Sequence, residues 1–240
     1  MNPRLLLLED DAVSAAFLVQ ALAALPARVE LAANLASARA LACAGQALWL
    51  FDARLPDGHG AELLGELRRR GLGTPALALT AEDQPQALRQ LRESGFLDVL
   101  TKPIRAETLR DVVARHLAPA AGLPRWNNEA VRRHLVPSAA APRWNNEAAL
   151  AALGGNRESM HSLRGLFLRE LPGQGRLVHA ALARGDHAAA REQLHRLKAG
   201  CGFVGAATLL AAVRALSATP ADAAALKHFL ACADDLIQNP

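Results

Sequence analysis

The sequence predicts two folds in series: an α/β domain on a five-stranded parallel sheet over residues 1–118, then an all-α bundle over residues 144–240. Three observations carry this division. Short apolar runs alternate with amphipathic stretches up to residue 118, and strand-like runs cease after it. Charge divides at the same place, because residues 1–118 hold 13 Lys/Arg against 14 Asp/Glu, a net of −1, and residues 119–240 hold 14 against 9, a net of +5. Between the halves, residues 119–143 have the composition of a linker, and the heptad PRWNNEA stands twice, at 124–130 and 142–148.

In the first half, RLLLL (4–8), RVEL (28–31), LWLF (48–51), ALAL (76–79) and FLDVL (96–100) are strand candidates. AVSAAFLVQALAAL and AELLGELRRR, lying between them, have helical periodicity. Apolar strands alternating with helices imply a parallel sheet covered on both faces. Ligands of such sheets bind beyond the carboxyl ends of the strands. The residues there share one chemistry. Glu9, Asp10 and Asp11 follow the first strand, and Asp52 follows the third, ahead of the Pro/Gly-rich turn ARLPDGHG. Thr80 ends the fourth, and the fifth runs into Thr101-Lys102-Pro103. Clustered carboxylates repel unless a hard cation lies among them, and an oxygen-only set suits Mg²⁺. A hydroxyl and an ammonium facing them are what the oxygens of a carboxylate-bound phosphoryl group need.

In order and spacing, LLLLEDD, LFDARLPDGHG, LALTAE and LTKPI resemble the receiver domain of two-component response regulators, over essentially all of residues 1–118. The resemblance implies a flavodoxin-like (βα)5 fold with Asp52 as phosphoacceptor. It further implies Mg²⁺ held by Glu9, Asp10, Asp52 and the backbone carbonyl of Arg54. Thr80 would bind a phosphoryl oxygen and report occupancy, and Lys102 would pair with the phosphoryl group. Lys102-Pro103 is a candidate cis bond. Asp11, one place past the acidic pair, is expected to cap the first helix. The chain departs from the family at Val99, where the family usually has a Tyr or Phe that rotates as part of its switch.

The second half reads as successive amphipathic helices, with breaks at Gly154-Gly155, Pro172-Gly173, Gly185, Gly205 and Pro220. Short loops between such helices suggest an antiparallel bundle. In DHAAAREQLHRLKAGCGFVGA, Leu194, Leu197, Cys201 and Val204 form the core-facing stripe. His195 lies off that stripe and shares an outer face with Arg191, Lys198, Ala199 and Gly202. The cations can neutralise a phosphoryl group, and the small residues let another protein approach. A neutral imidazole there is a competent nucleophile. The run His195-Arg196-Leu197-Lys198-Ala199-Gly200 resembles the H-x-L-K-G motif of histidine-containing phosphotransfer (HPt) domains, and the likeness covers roughly 144–240. It implies a four-helix bundle that carries a phosphoryl group on His195, with Lys198 beside it. Ala199 stands where that family usually has Gly.

The chain has neither the H-E-x-R/K-x-P run of a sensor kinase nor a Gly-rich ATP-binding segment. The expectation is therefore a phosphoryl carrier and not an enzyme that makes its own donor. Expected partners are a sensor histidine kinase and other receiver or HPt proteins; the alternative is a phospho-gated receiver whose bundle is a non-catalytic binding module. The arginines of the basic half are dispersed, with no aromatic interleaving or recognition helix, which favours an acidic protein partner over nucleic acid. Cys43, Cys201 and Cys232 are too few and scattered for a disulfide framework or a metal site. They suit a reducing cytosol, and MNPRLLLLEDD is far short of a signal peptide or membrane span, so a cytoplasmic location is expected. Trp144 is expected to open the bundle inside its short first helix. The first heptad copy reads as a duplicated spare, either an inert spacer or one whose Trp126 competes with Trp144 for the same groove.

Overall fold

The computed structural model describes residues 2–117 and 142–239. The α/β domain contains β1 (Arg4–Leu8), α1 (Ala12–Leu22), β2 (Arg28–Ala32), α2 (Leu35–Leu41), β3 (Leu48–Asp52), β4 (Arg54–Leu55), β5 (Gly58–His59), α3 (Gly60–Arg69), β6 (Ala76–Thr80), α4 (Pro85–Glu93), β7 (Asp98–Thr101) and α5 (Ala106–Leu117). Its main sheet is fully parallel in the order β2-β1-β3-β6-β7, the flavodoxin-like arrangement. Successive side chains of a strand point to opposite faces, and both faces here are apolar. In β1, Leu6 and Leu8 join Trp49 and Phe51 in one core beneath α2 and α3, while Leu5 and Leu7 join Phe17 and Leu109 in another. This two-sided burial is why the strands read as unbroken apolar runs.

The last strand starts at Asp98 rather than at Phe96, because Gly95 turns the chain at φ +102°. The ARLPDGHG turn contains a two-residue antiparallel hairpin, with Arg54 opposite His59. It folds so tightly onto β3 that a Cβ at Gly60 would collide with the Asp52 carbonyl. Asp11 caps α1 as the sequence suggests, accepting from the Ser14 N–H at 2.8 Å.

The helical domain comprises α6 (Asn146–Ala152), α7 (Arg157–Ala183), α8 (His187–Val204), α9 (Ala207–Ala218) and α10 (Ala223–Gln238). The last four pack as a bundle. The expected break at Pro172-Gly173 does not occur, since α7 runs for 27 residues with Pro172 inside it. An internal proline costs a helix about 3 kcal/mol. Leu163, Phe167, Leu171 and Val178 on one buried face offset that cost. Trp144 also differs from expectation. It precedes the helix, because Asn145 is the cap, accepting from the Ala148 N–H at 2.9 Å. The half-buried indole packs on the core, with the Arg164 guanidinium 4.4 Å from its ring centre. The first heptad copy, Trp126 and nearly all of the linker lie outside the described residues. Among the described residues, no helix is long and apolar enough to cross a membrane.

Gly205 ends α8 in the left-handed conformation, at φ 73° and ψ 29°, and its carbonyl accepts from the Asn145 N–H at 2.7 Å. A Cβ there would meet the Asn145 carbonyl. Gly205→Ala is therefore expected to destabilise the bundle by about 2 kcal/mol, read as a lower urea midpoint for its transition.

Candidate functional site

At the carboxyl end of the sheet, three strands deliver charge to one point. Asp52 closes β3, and its Oδ1 accepts from the Arg54 N–H at 2.9 Å. Its Oδ2 accepts from Lys102 Nζ at 2.6 Å, and the same ammonium donates to Glu9 Oε2 at 2.5 Å. Lys102 is placed there by the end of β7, where its backbone N–H bonds to the Thr80 carbonyl and its bond to Pro103 is cis. Glu9, Asp10 and Asp52 each bring a carboxylate oxygen to within 4.8 Å of the others. Glu9 Oε1 and Asp10 Oδ1 are buried with no hydrogen-bond partner. Buried oxygens of this kind are costly to leave unsatisfied, and an all-oxygen donor set suits a hard cation such as Mg²⁺. The residues present fit that ion.

Helix α8 lies across this end of the sheet. His195, Arg196 and Ala199 of α8 line one cavity of ≈ 10 Å³ together with Asp52, Lys102 and Arg54. Arg196 Nε stands 3.1 Å from Asp10 Oδ2, and Lys198 Nζ donates to the Ala81 carbonyl at 3.0 Å. Beside the cavity, Phe203 of α8 stacks on Phe17 of α1 with ring centres 4.2 Å apart. Gln20 donates to Ser159, and Gln174 to Asp11, so α7 is tied to α1 as well. Gly202 faces Pro103 so closely that an added Cβ would lie 2.8 Å from the proline ring.

Residues 5–114 match the family described as the response regulator receiver domain. These residues are a receiver domain. The response regulator protein PilR of Pseudomonas aeruginosa is 39% identical over 70 residues, which are 29% of this chain and 16% of PilR. Two sensor histidine kinases align further. AruS of Pseudomonas aeruginosa is 32% identical over 172 residues, 68% of this chain and 15% of AruS. GacS of Pseudomonas protegens is 26% identical over 170 residues, 69% of this chain and 18% of GacS. The chain thus spans less than a fifth of the length of these relatives. An alignment over 68% of the chain extends past the receiver into the helical domain.

The structure brings together most of the residues singled out from sequence. Glu9, Asp10, Asp52 and Lys102 form one cluster, and Arg54 stands beside it. Thr80 is buried next to it, but its hydroxyl accepts from the Glu82 N–H at 3.0 Å and does not line the cavity. Val99 fills the core beside Trp49 and Phe51. His195 lies off the leucine stripe, as its spacing indicates, yet its face is not open: the side chain is 16% exposed because the receiver covers it. Arg191 stays exposed and stands away from the cavity. Arg196 takes the place near the acids, and Glu82 lies 3.9 Å from His195 Nδ1. Periodicity within one helix could not reveal either contact, since both are made across domains.

Burial sets the electrostatics. It pushes Glu9 well above the usual carboxylate range and Asp10 up to about 6, the latter opposed by Arg196. Burial disfavours the Lys102 ammonium, yet Asp52 and Glu9 together hold its pKa above the usual lysine range. Burial also pushes His195 down to about 4, against the pull of Asp52 and Glu82. The imidazole is therefore neutral at physiological pH, with one ring nitrogen carrying a free lone pair.

Proposed function

We propose that this chain is a phosphorelay protein in which a phosphoryl group passes directly between Asp52 of the receiver and His195 of the bundle, the bundle acting as an HPt domain. One observation carries the reading: Asp52 and His195 line the same cavity. In the forward direction a ring nitrogen of neutral His195 attacks the phosphorus of the Asp52 acyl phosphate. The N–P bond forms, the Asp52 O–P bond breaks, and the carboxylate leaves with the electron pair. The imidazolium product sheds its remaining N–H proton, with Glu82 Oε1, 3.9 Å from Nδ1, as the nearest carboxylate. The step is reversible. Lys102 and the Arg54 N–H hold the Asp52 oxygens in both directions, and Lys198, anchored on Ala81, keeps α8 over the site.

Glu9, Asp10, Asp52 and the Arg54 carbonyl would hold Mg²⁺, which supplies charge neutralisation for the phosphoryl oxygens when bound. The chain carries phosphoryl groups and does not make them. A sensor histidine kinase would load Asp52, and another receiver aspartate would exchange with His195. Alignment of two sensor histidine kinases past the receiver supports a link between the bundle and that signalling chemistry.

A second reading draws on the same interface. A cavity of ≈ 10 Å³ has room for about one water, so a phosphoryl group on Asp52 presses α8 away. The bundle would then be a binding module released by phosphorylation. Radiolabelled acetyl phosphate with Mg²⁺ separates the two. The relay expects alkali-stable phosphohistidine beside the alkali-labile acyl phosphate, with both absent from Asp52→Asn. Label confined to the acyl phosphate in wild type sinks the relay and leaves the gate.

A further inference from the structure

We infer that Arg196 is the resting counter-ion of the acid site, so that a divalent cation and the docked bundle compete for Asp10. The inference rests on the cation reading above and adds the residue that regulates it. Three carboxylates face the site, and among the described residues the receiver cation in ion-pair contact with them is Lys102, which is taken up by Glu9 and Asp52. Asp10 is left to a guanidinium from the other domain, at 3.1 Å from Oδ2. Both partners are mostly covered, with side-chain exposures of 21% for Arg196 and 7% for Asp10, so solvent screens the pair only partly. Asp10 Oδ1 and Glu9 Oε1 remain buried and unpartnered, ready for a second positive charge.

A dication cannot enter there without repelling the guanidinium, and Arg196 has somewhere to go. Its Nη2 already donates to Glu192 Oε1 at 2.6 Å, one turn back on α8. Releasing Asp10 leaves Arg196 paired on its own helix. Cation binding therefore loosens the α8 contact without stranding a charge. By linkage, docking weakens cation binding by the same factor. The resting chain holds its cation weakly with the bundle closed, and cation loading eases the bundle off the cavity that a phosphoryl group must enter.

Mn²⁺ titrated into the full, unphosphorylated chain, with free Mn²⁺ counted by its electron paramagnetic resonance signal, tests this without any phosphoryl transfer. Arg196→Ala is expected to tighten the Mn²⁺ Kd about tenfold, within the usual range of such couplings. Gly202→Phe keeps Arg196 but wedges α8 from Pro103, and is expected to tighten it equally. Equal Kd values for all three chains overturn the competition while leaving the cation site intact. Tightening in Gly202→Phe alone also overturns it, because cover and not Arg196 is then responsible. No Mn²⁺ binding to any of the three overturns the cation reading along with it. Should the variants fail to fold, wild type decides: saturating Mg²⁺ must speed amide exchange along α8, and unchanged exchange overturns the inference. Failure of phosphohistidine to form bears on the relay alone.

Discussion

His195→Gln is expected to remove every trace of alkali-stable label from the chain while Asp52 continues to take up phosphoryl groups. The chemistry demands a complete effect. Glutamine resembles histidine in reach and hydrogen bonding, but its amide nitrogen has no lone pair available to attack phosphorus. The fold has little reason to respond, since His195 lies off the stripe formed by Leu194, Leu197, Cys201 and Val204, which are fully buried in the bundle core. Burial holds the wild-type imidazole near a pKa of about 4, so the nucleophilic form is present at working pH with no base needed to unmask it. Acid-quenched and alkali-treated samples of both chains, labelled side by side, supply the measurement. Alkali-stable label persisting in the variant would place the bundle's chemistry on another histidine or abolish it.

The expectations drawn from sequence succeeded where one element determines the outcome. Glu9, Asp10, Asp52 and Lys102 each follow an apolar run too short to be anything but a strand, and a parallel sheet sends all such ends to one side. Asp11 could be assigned to the helix cap because a cap needs only its own next three residues. Pro172 misled for the complementary reason: its local cost is real, and only the buried face of α7 against its neighbours outweighs it. His195 shows both sides. Its angular position on α8 was legible from helical spacing. The cover over α8 was not, because Phe17, Pro103 and Ala81, which meet Phe203, Gly202 and Lys198, come from the other domain. The net charges of the two halves, −1 and +5, are opposite in sign and suit domains that meet. Nothing within α8 says that Arg196 rather than Arg191 reaches the acids.

Lys102→Met is expected to be the most destabilising single change at the site, by about 3 kcal/mol or more at neutral pH. The ammonium stands between two carboxylates at 2.5 and 2.6 Å, with side-chain exposures of 3% for Lys102, 1% for Glu9 and 7% for Asp52. Methionine matches the lysine stem in bulk, so little of the loss comes from a cavity. Nearly all of it comes from two like charges left buried without their partner. The deficit then has a signed pH dependence. Burial already pushes Glu9 well above its ordinary value, and loss of Lys102 removes the attraction that opposes the push. A carboxyl whose folded pKa exceeds its unfolded one binds more protons in the native state. Stability therefore falls as pH rises through that folded pKa and recovers as pH drops below it. Urea unfolding at pH about 8 and about 5.5 should show the Lys102→Met deficit shrinking at the lower value, and millimolar Mg²⁺ should reduce it at the higher one by restoring positive charge among the same oxygens. A deficit that does not shrink as pH falls would mean that Lys102 supports the fold through packing rather than charge, and the electrostatic account of the site would fail with it.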